Sequence, residues 1–279
     1  MKEPVMSGHC KPYLEKILGI CRCVLYGGNA GKSLVRWISI SMLISALLFV
    51  FIREAKAERT IFDREKRIIV LDPGHGGHDK GSRGSSGINE STVTLNLARM
   101  IQAELENRYK VILTRTDDYW IDVTGRTNMA NHLKADLFIS LHVGGSFLHQ
   151  VGGMTLFYFK PAGTEKTEKP IQNETAPSQW ENIQKQYSES GKFLALLVKH
   201  CLLEQGKNLE SEIQGAPVKV LEGADMPAIL IELGYLTNPA EEKALCEGDV
   251  RWILAKGIAR GIDDFFKKAL SDSYINLHE

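Results

Sequence analysis

Four side chains whose types could carry chemistry stand at the ends of predicted strands or helices. His75 follows a buried strand inside the glycine-rich run of residues 71–84, and Glu90 opens a helix. His142 and Glu232 each end an apolar strand. Two histidines and a carboxylate form a ligand set of catalytic zinc, which keeps a further position for water. A second carboxylate near that water would serve as a general base.

Each of these residues also has a simpler explanation when it is taken alone. His75 suits a surface turn, Glu90 suits the positive end of a helix, and His142 suits a satisfied position in the core. Glu232 is harder to explain, because an ionised glutamate after AILI is costly to bury without a partner. The functional groups of an α/β sheet collect where its strands end, so the four together favour a metal site. His78 is interpreted as a solvent-facing neighbour of His75 and not as a ligand.

The elements that must position these residues alternate between strand and helix patterns. Val93, Leu97, Ile101 and Leu105 recur every four residues, which is the stripe of an amphipathic helix. Continuous apolar runs predict buried strands. The predicted strands cover residues 67–71, 110–114, 136–142, 154–159, 218–221 and 228–232, and the predicted helices cover 91–107, 125–133, 188–204 and 250–268. This alternation predicts one α/β domain over residues 61–270, with right-handed crossovers that place helices on both faces of the sheet.

The N-terminal part of the chain predicts export. Residues 37–52 carry no charge, and they follow a tail, residues 1–36, with six basic and two acidic side chains. Positive charge before an apolar run predicts a cytoplasmic N-terminus and an exported C-terminal part. The run is short for a spanning helix of about 20 residues, and Ala55-Lys56-Ala57 fits a cleavage site. Residues 37–57 are therefore the core of a signal peptide or a membrane anchor. Both alternatives place the following residues in the periplasm or otherwise outside the cytoplasm. If the segment is not cleaved, residues 37–52 would attach the protein to the membrane.

Composition and charge limit the class of protein. A hydrophobic content of 43% is ordinary for a globular chain and allows a sizeable core. Lys plus Arg and Asp plus Glu both number 34, so no net field favours nucleic acid as a partner. In the exported part, a disulfide between Cys201 and Cys246 stays open, although unpaired buried thiols are favoured.

Several stretches, in this order, resemble one enzyme family. They are IVLDPGHGGHDKGSRG, GINES, LTRTDDYW, RTNMAN, FISLH, APVKVL and ADMPAILIELGYLTNPAEE, and they span nearly all of the chain after Arg67. The family is that of the zinc-dependent N-acetylmuramoyl-L-alanine amidases (amidase type 3), which cleave bacterial peptidoglycan. The resemblance implies a mixed, mostly parallel sheet, Zn2+ held by His75, Glu90 and His142, and Glu232 as the catalytic residue.

The reaction that the resemblance implies is hydrolysis of the amide between the lactyl group of N-acetylmuramic acid and the L-alanine of the stem peptide. Zinc would polarise the scissile carbonyl and lower the pKa of a water to about 7. Glu232 would take a proton from that water and return it to the alanine nitrogen. Two positions depart from the family pattern, because Gly144 stands where asparagine is usual and Ser91 where lysine is usual. Neither is a ligand, so zinc binding is expected to persist while Gly144 alters the cleft floor.

Two other functions stay open beside the amidase. One is a catalytically weak wall-binding or regulatory module of the same fold, and the other is a zinc peptidase that acts on stem peptides. Residues 160–187 are polar and hold Pro161, Pro170 and Pro177, so a solvated loop is favoured there. The alternative is a lid with a short helix that ends at Tyr187. In similar enzymes a regulatory helix covers the zinc until an activator binds, so an activator protein acting on this loop is a candidate partner besides peptidoglycan.

Overall fold

The computed structural model describes residues 66–162, 183–205 and 210–275, with side chains described as far as residue 268. The tail 1–36, the apolar segment 37–52 and most of the 160–187 loop lie outside these residues, so what the sequence predicts for them stays a prediction. Within the described part of the chain, no helix combines the length and the apolar character needed to cross a membrane.

In the described residues, six strands form one sheet, in the spatial order β2, β1, β3, β6, β4, β5. They are β1 (Ile68–Pro73), β2 (Lys110–Leu113), β3 (Leu137–Gly144), β4 (Met154–Phe159), β5 (Ser211–Ala216) and β6 (Ala228–Tyr235). Four of the five neighbouring pairs are parallel, and the fifth, β4 with β6, is antiparallel. The expected mixed, mostly parallel sheet is confirmed.

Helices cover both faces of this sheet, as the sequence predicts. They are α1 (Glu90–Leu105), α2 (Val123–His132), α3 (Ser188–Leu203), α4 (Pro239–Cys246) and α5 (Gly248–Ile275). Successive strand side chains point to opposite faces, so Ile69 and Val70 belong to two separate cores. The core of Ile69 lies under α1, α3 and α5. The core of Val70 lies under α2 and the segment 218–226.

The strand predicted at residues 218–221 is wrong, because these residues lie at the start of a run of turns. Val220 and Leu221 are nevertheless buried, since they pack in the core beside α2. A short apolar run signals burial without specifying the backbone conformation. The sheet instead contains the edge strand β5, which the sequence does not predict. Its residues, SEIQGA, are part-exposed and mostly polar or small. The prediction also omits α4, although Asn238 as its cap and Pro239 in its first turn are helix-start signals.

The two cysteines of the described residues are free. Cys201 is buried and Cys246 is exposed, so the disulfide that the sequence leaves open is not formed. Burial and the nearby carboxylate of Asp264 raise the pKa of the Cys201 thiol to about 11. Cys201 is therefore an unreactive core thiol at neutral pH.

Strand order brings the candidate residues to one edge of the sheet. The strands β1, β3 and β6 are parallel neighbours, so their carboxyl ends meet at the same edge. His142 of β3 is directly opposite Glu232 of β6 in the register. His75 follows β1 by two residues, and Glu90 opens α1. The fold therefore assembles four residues that are far apart in the sequence.

Candidate metal centre

The turn that follows β1, residues 74–81, which we call the glycine turn, has a backbone that few side chains allow. His75 itself has a positive φ of 61°, an uncommon conformation for a residue with a Cβ. A Cβ on Gly74 would lie 2.5 Å from the ring of His142, and one on Gly81 would lie 2.4 Å from Oε2 of Glu90. The glycines thus let the backbone pass directly beside the candidate ligand side chains while His75 projects into the site.

The side chains of His75, Glu90 and His142 form a compact cluster. Oε1 of Glu90 lies 3.1 Å from Nε2 of His75 and 3.0 Å from Nδ1 of His142. The three ligand atoms all lie within 4.8 Å of one another. Around a tetrahedral zinc with bonds of about 2.1 Å, neighbouring ligand atoms lie about 3.4 Å apart. The spacing and the donor types therefore fit such an ion.

Further hydrogen bonds orient these three side chains. The backbone N–H of Val143 donates to Oε1 of Glu90 at 2.9 Å, and that of Ser82 donates to Oε2 at 2.8 Å. Nδ1 of His75 is hydrogen-bonded to Oδ2 of Asp79 at 2.8 Å, which turns Nε2 toward Glu90. A carboxylate on the far nitrogen of a histidine is the usual outer partner of a metal-bound imidazole. Asp79 is thus a supporting residue that the sequence reasoning missed.

The cluster also sets the charge of its members. Burial alone would raise the pKa of Glu90, but hydrogen bonds and charge interactions with His142 and His75 lower it far below its ordinary range. Burial alone would lower the pKa of His75, but the carboxylates of Glu90 and Asp79 outweigh that effect and raise it. Glu90 is therefore ionised at neutral pH, as a carboxylate ligand must be.

Glu232 stands beside the cluster with different properties. Its Oε2 atom is buried and has no hydrogen-bond partner among the described residues. Burial raises the pKa of Glu232 above its ordinary value, and the charge of Glu90 adds to this effect, while His142 and His75 oppose it. A carboxylate with an unused oxygen and a pKa raised above its ordinary value is suited to take and give a proton.

Two buried arginines hold the backbone of the glycine turn, and the sequence reasoning assigned no role to either. The guanidinium of Arg126 donates to the side chain of Asp72 at 2.7 Å and to the carbonyl of His75 at 3.0 Å. Arg115 donates to the carbonyls of Gly74 at 2.8 Å and of Ser91 at 2.7 Å, so it joins the turn to α1. The sequence signal for these two roles was the position of each arginine, Arg115 at the end of LTR and Arg126 in GRT. Charged groups near the edge where strands end need hydrogen-bond partners.

Two positions near the candidate ligands, His78 and Gly144, have defined surroundings. His78 is exposed, as the sequence predicts, and its ring lies 5.1 Å from that of Trp120, so the structure separates it from the cluster. Gly144 lies under the ring of Tyr235, because a Cβ on Gly144 would be 2.8 Å from that ring. The Tyr235 ring therefore covers the position at which a side chain on residue 144 would stand.

Comparison with known proteins gives a consistent relationship. The family model Amidase_3, N-acetylmuramoyl-L-alanine amidase, matches residues 69–264. N-acetylmuramoyl-L-alanine amidase AmiA of Salmonella typhimurium is 30% identical over an alignment of 221 residues, and the match covers 72% of this chain and 76% of that protein. The sporulation-specific N-acetylmuramoyl-L-alanine amidase of Bacillus subtilis is 30% identical over an alignment of 206 residues, and the match covers 71% of this chain and 68% of that protein.

A solved structure shares the fold as well. The structure of N-acetylmuramoyl-L-alanine amidase AmiC2 of Nostoc punctiforme has 27% sequence identity and a TM-score of 0.60, and the match covers 72% of this chain and 97% of that one. The family match includes all three strands that meet at the metal centre. The chain belongs to the N-acetylmuramoyl-L-alanine amidase family Amidase_3.

Proposed function

We propose that the protein is a zinc-dependent N-acetylmuramoyl-L-alanine amidase that hydrolyses the amide between the lactyl group of N-acetylmuramic acid and L-alanine in peptidoglycan. Membership of the amidase family supports the reaction. The observation that carries the zinc dependence is the cluster of one carboxylate oxygen and two imidazole nitrogens within 4.8 Å, with Glu232 beside it.

In this proposal the described residues divide into ligands and a proton carrier. His75, Glu90 and His142 would hold the zinc, which would supply a Lewis acid and lower the pKa of a water. Glu232 would accept a proton from the attacking water and deliver it to the alanine nitrogen as the amide bond breaks. The buried, unpartnered oxygen of Glu232 and its raised pKa support that role.

An exposed aromatic pair beside the glycine turn supports a substrate that carries a sugar. Tyr119 and Trp120 are 44% and 49% exposed. Their backbone packs on the glycine turn so closely that a Cβ on Gly76 would lie 2.2 Å from the carbonyl oxygen of Tyr119. A half-exposed indole offers a flat apolar face with a polar edge, which suits the C–H face of a pyranose. We assign Trp120 to contact the sugar, a contact that an amidase substrate would offer and a free stem peptide would not.

Digestion of purified peptidoglycan, with and without a zinc chelator and followed by mass analysis, tests the proposed function. Release of intact stem peptides that begin with L-alanine is expected, and the chelator should abolish it. The matched control is His142→Ala, which lacks one of the three proposed zinc ligands. Products of peptide-bond cleavage would identify a peptidase instead, and the absence of any chelator-sensitive product would identify a non-catalytic module.

An exported location accompanies this proposal, since peptidoglycan lies outside the cytoplasmic membrane. The basic tail and the apolar segment 37–52 support export, with membrane attachment if the segment is not cleaved. An activator protein acting on the 160–187 loop stays a prediction of the sequence, because most of that loop lies outside the described residues. Detection of the full-length chain in washed membranes, rather than in the soluble exported fraction, would distinguish an anchor from a cleaved signal.

A further inference from the structure

The proposed ligand Glu90 lies at the end of a short hairpin formed by residues 82–90. We call this segment the 82–90 hairpin. At its base, the N–H of Glu90 donates to the carbonyl of Ser82 at 2.9 Å, and the N–H of Ser82 donates to Oε2 of Glu90 at 2.8 Å. Along its length, Arg83 and Asn89 form an antiparallel bridge, and the N–H of Gly84 donates to the carbonyl of Ile88 at 2.9 Å. The position of the Glu90 carboxylate therefore depends on how this hairpin is held.

The tip of the hairpin is held by one carboxylate from the other end of the chain. The backbone N–H and the hydroxyl of Ser85 donate to Oε2 of Glu242 at 3.0 and 2.5 Å. The same two groups of Ser86 donate to Oε1 at 2.8 and 2.6 Å. Glu242 is only 5% exposed, and the four donors lower the pKa of its carboxyl to about 2. A Cβ on Gly84 would lie 2.1 Å from Oε1, so the glycine makes room for the carboxylate.

Glu242 is itself fixed to the strand that carries Glu232. It lies in α4, which is separated from β6 only by residues 236–238, and its N–H donates to the carbonyl of Asn238 at 2.8 Å. The side chain of Asn238 caps the helix by accepting from the N–H of Ala240 at 3.0 Å. The chain therefore leads from β6 through the capped helix α4 to the 82–90 hairpin.

We propose that Glu242 is a positioning residue that holds the Glu90 carboxylate in its ligand position through Ser85 and Ser86. The inference rests on the proposed function in so far as Glu90 is a zinc ligand. Among the described contacts, Glu242 is the only acceptor for these four donors at the tip of the hairpin. Loss of the anchor would let the hairpin, and Glu90 with it, move by a fraction of an ångström to an ångström, which is enough to weaken a metal site.

Zinc affinity of Glu242→Gln, measured by competition with a chromophoric chelator, tests the inference. The amide keeps the shape of the side chain but replaces one acceptor oxygen with a donor, which faces the donors of one serine. Zinc should bind up to about 10-fold more weakly than in the wild type, which is the lower end of the range for loss of a direct outer partner, because Glu242 acts on Glu90 only through Ser85 and Ser86. Ser86→Ala, a milder change that keeps the carboxylate, should weaken zinc binding in the same direction and less.

Glu241→Gln is the matched control. Glu241 neighbours Glu242 and also accepts backbone N–H groups, from Tyr235 and Gly153, but it does not contact the 82–90 hairpin. Its zinc affinity should stay within about twofold of the wild type, whatever its thermal stability. Unfolding of each zinc-free variant separates stability from positioning, because a purely structural role would lower the unfolding temperature of Glu242→Gln and leave its zinc affinity unchanged.

The possible results distinguish the two proposals. If the wild type binds no zinc, the proposed function fails. If the wild type binds zinc and Glu242→Gln binds it equally well, the positioning role of Glu242 is wrong while the proposed function stands. If both Glu241→Gln and Glu242→Gln weaken zinc binding equally, the effect is general to α4 and the specific role of Glu242 is also refuted.

Discussion

At the candidate metal centre, the carboxylate of Glu90 contacts both histidines and two backbone N–H groups. Oε1 accepts from the N–H of Val143 and lies close to His75 and His142, and Oε2 accepts from the N–H of Ser82. A buried carboxylate with this many partners stays ionised and held in one orientation. Glu232, only one strand away from His142, has an oxygen without any described partner. The same residue type thus meets two different surroundings, which suit the two roles proposed for it.

Glu232→Gln should separate these two roles. The amide cannot accept and return a proton, so the hydrolysis rate on labelled peptidoglycan should fall by about 100- to 10,000-fold. Zinc affinity should change little, because Glu232 contributes no ligand atom to the cluster. Rate measurements and a zinc titration on the same preparation check both statements. Retained hydrolysis would refute Glu232 as the proton carrier.

At the level of elements, the loop between β2 and α2 completes the edge of the sheet. Residues 114–122 pack against the glycine turn, where the N–H of Gly77 donates to Asp118 at 2.9 Å, and Lys80 forms an ion pair with Asp118 at 2.6 Å. His78 contacts the ring of Trp120. The aromatic pair Tyr119 and Trp120 is therefore fixed to the same turn that supplies His75.

Trp120→Ala should impair binding of a substrate with a sugar more than it impairs the chemical step. We expect KM for a muropeptide that keeps its N-acetylmuramic acid to rise about 5- to 30-fold, with kcat changed by less than about threefold, because loss of an aromatic contact costs on the order of 1–2 kcal/mol. Steady-state kinetics on that muropeptide measure the two constants. The matched control is Trp252→Ala, since Trp252 on α5 is 46% exposed and contacts Lys256 instead. Equal effects of the two variants, or none for Trp120→Ala, would contradict the sugar contact.

At the scale of the whole molecule, the adjacent residues Glu241 and Glu242 join segments that are distant in the sequence. Glu241 accepts from Gly153 and Tyr235, and Glu242 accepts from Ser85 and Ser86. The short helix α4 therefore ties together the loop before β4, the end of β6 and the 82–90 hairpin. Its acidic side chains act here as acceptors for loop backbone, which is a stabilising use of buried carboxylates when all donors are in place.

Acid stability should report the Glu242 contacts. The folded pKa of Glu242 is about 2 and its ordinary value is 4.5, so its contribution to stability is present above the ordinary value and is lost as pH falls toward the folded value. The free energy of unfolding of the zinc-free wild type should therefore approach that of Glu242→Gln between about pH 5 and pH 2. Urea unfolding at a series of pH values in chelator gives the difference, and other acidic groups cancel because they are common to both proteins. A difference that does not change over this range would contradict the prediction.

The sequence by itself determined the classes of element and the chemistry at their ends. Apolar runs and the four-residue stripe of α1 are local patterns, so the strands β1 and β3 and the helix α1 could be predicted within a few residues. The site residues could be selected because charged groups at the ends of buried strands are costly unless they have a use. The resemblance of several motifs then predicted the family that the comparisons show.

Only the tertiary structure decided which of these ends meet and what holds them. Pairing of β3 with β6, which places His142 opposite Glu232, is a contact across about 90 residues that no local pattern encodes. The same is true of Glu242, whose bond to Ser85 spans 157 residues. The strand expected at residues 218–221 failed for the related reason that burial beside α2 satisfies an apolar run without a strand. Local periodicity depends on neighbouring residues, whereas the metal centre depends on backbone and carboxylates brought together by folding.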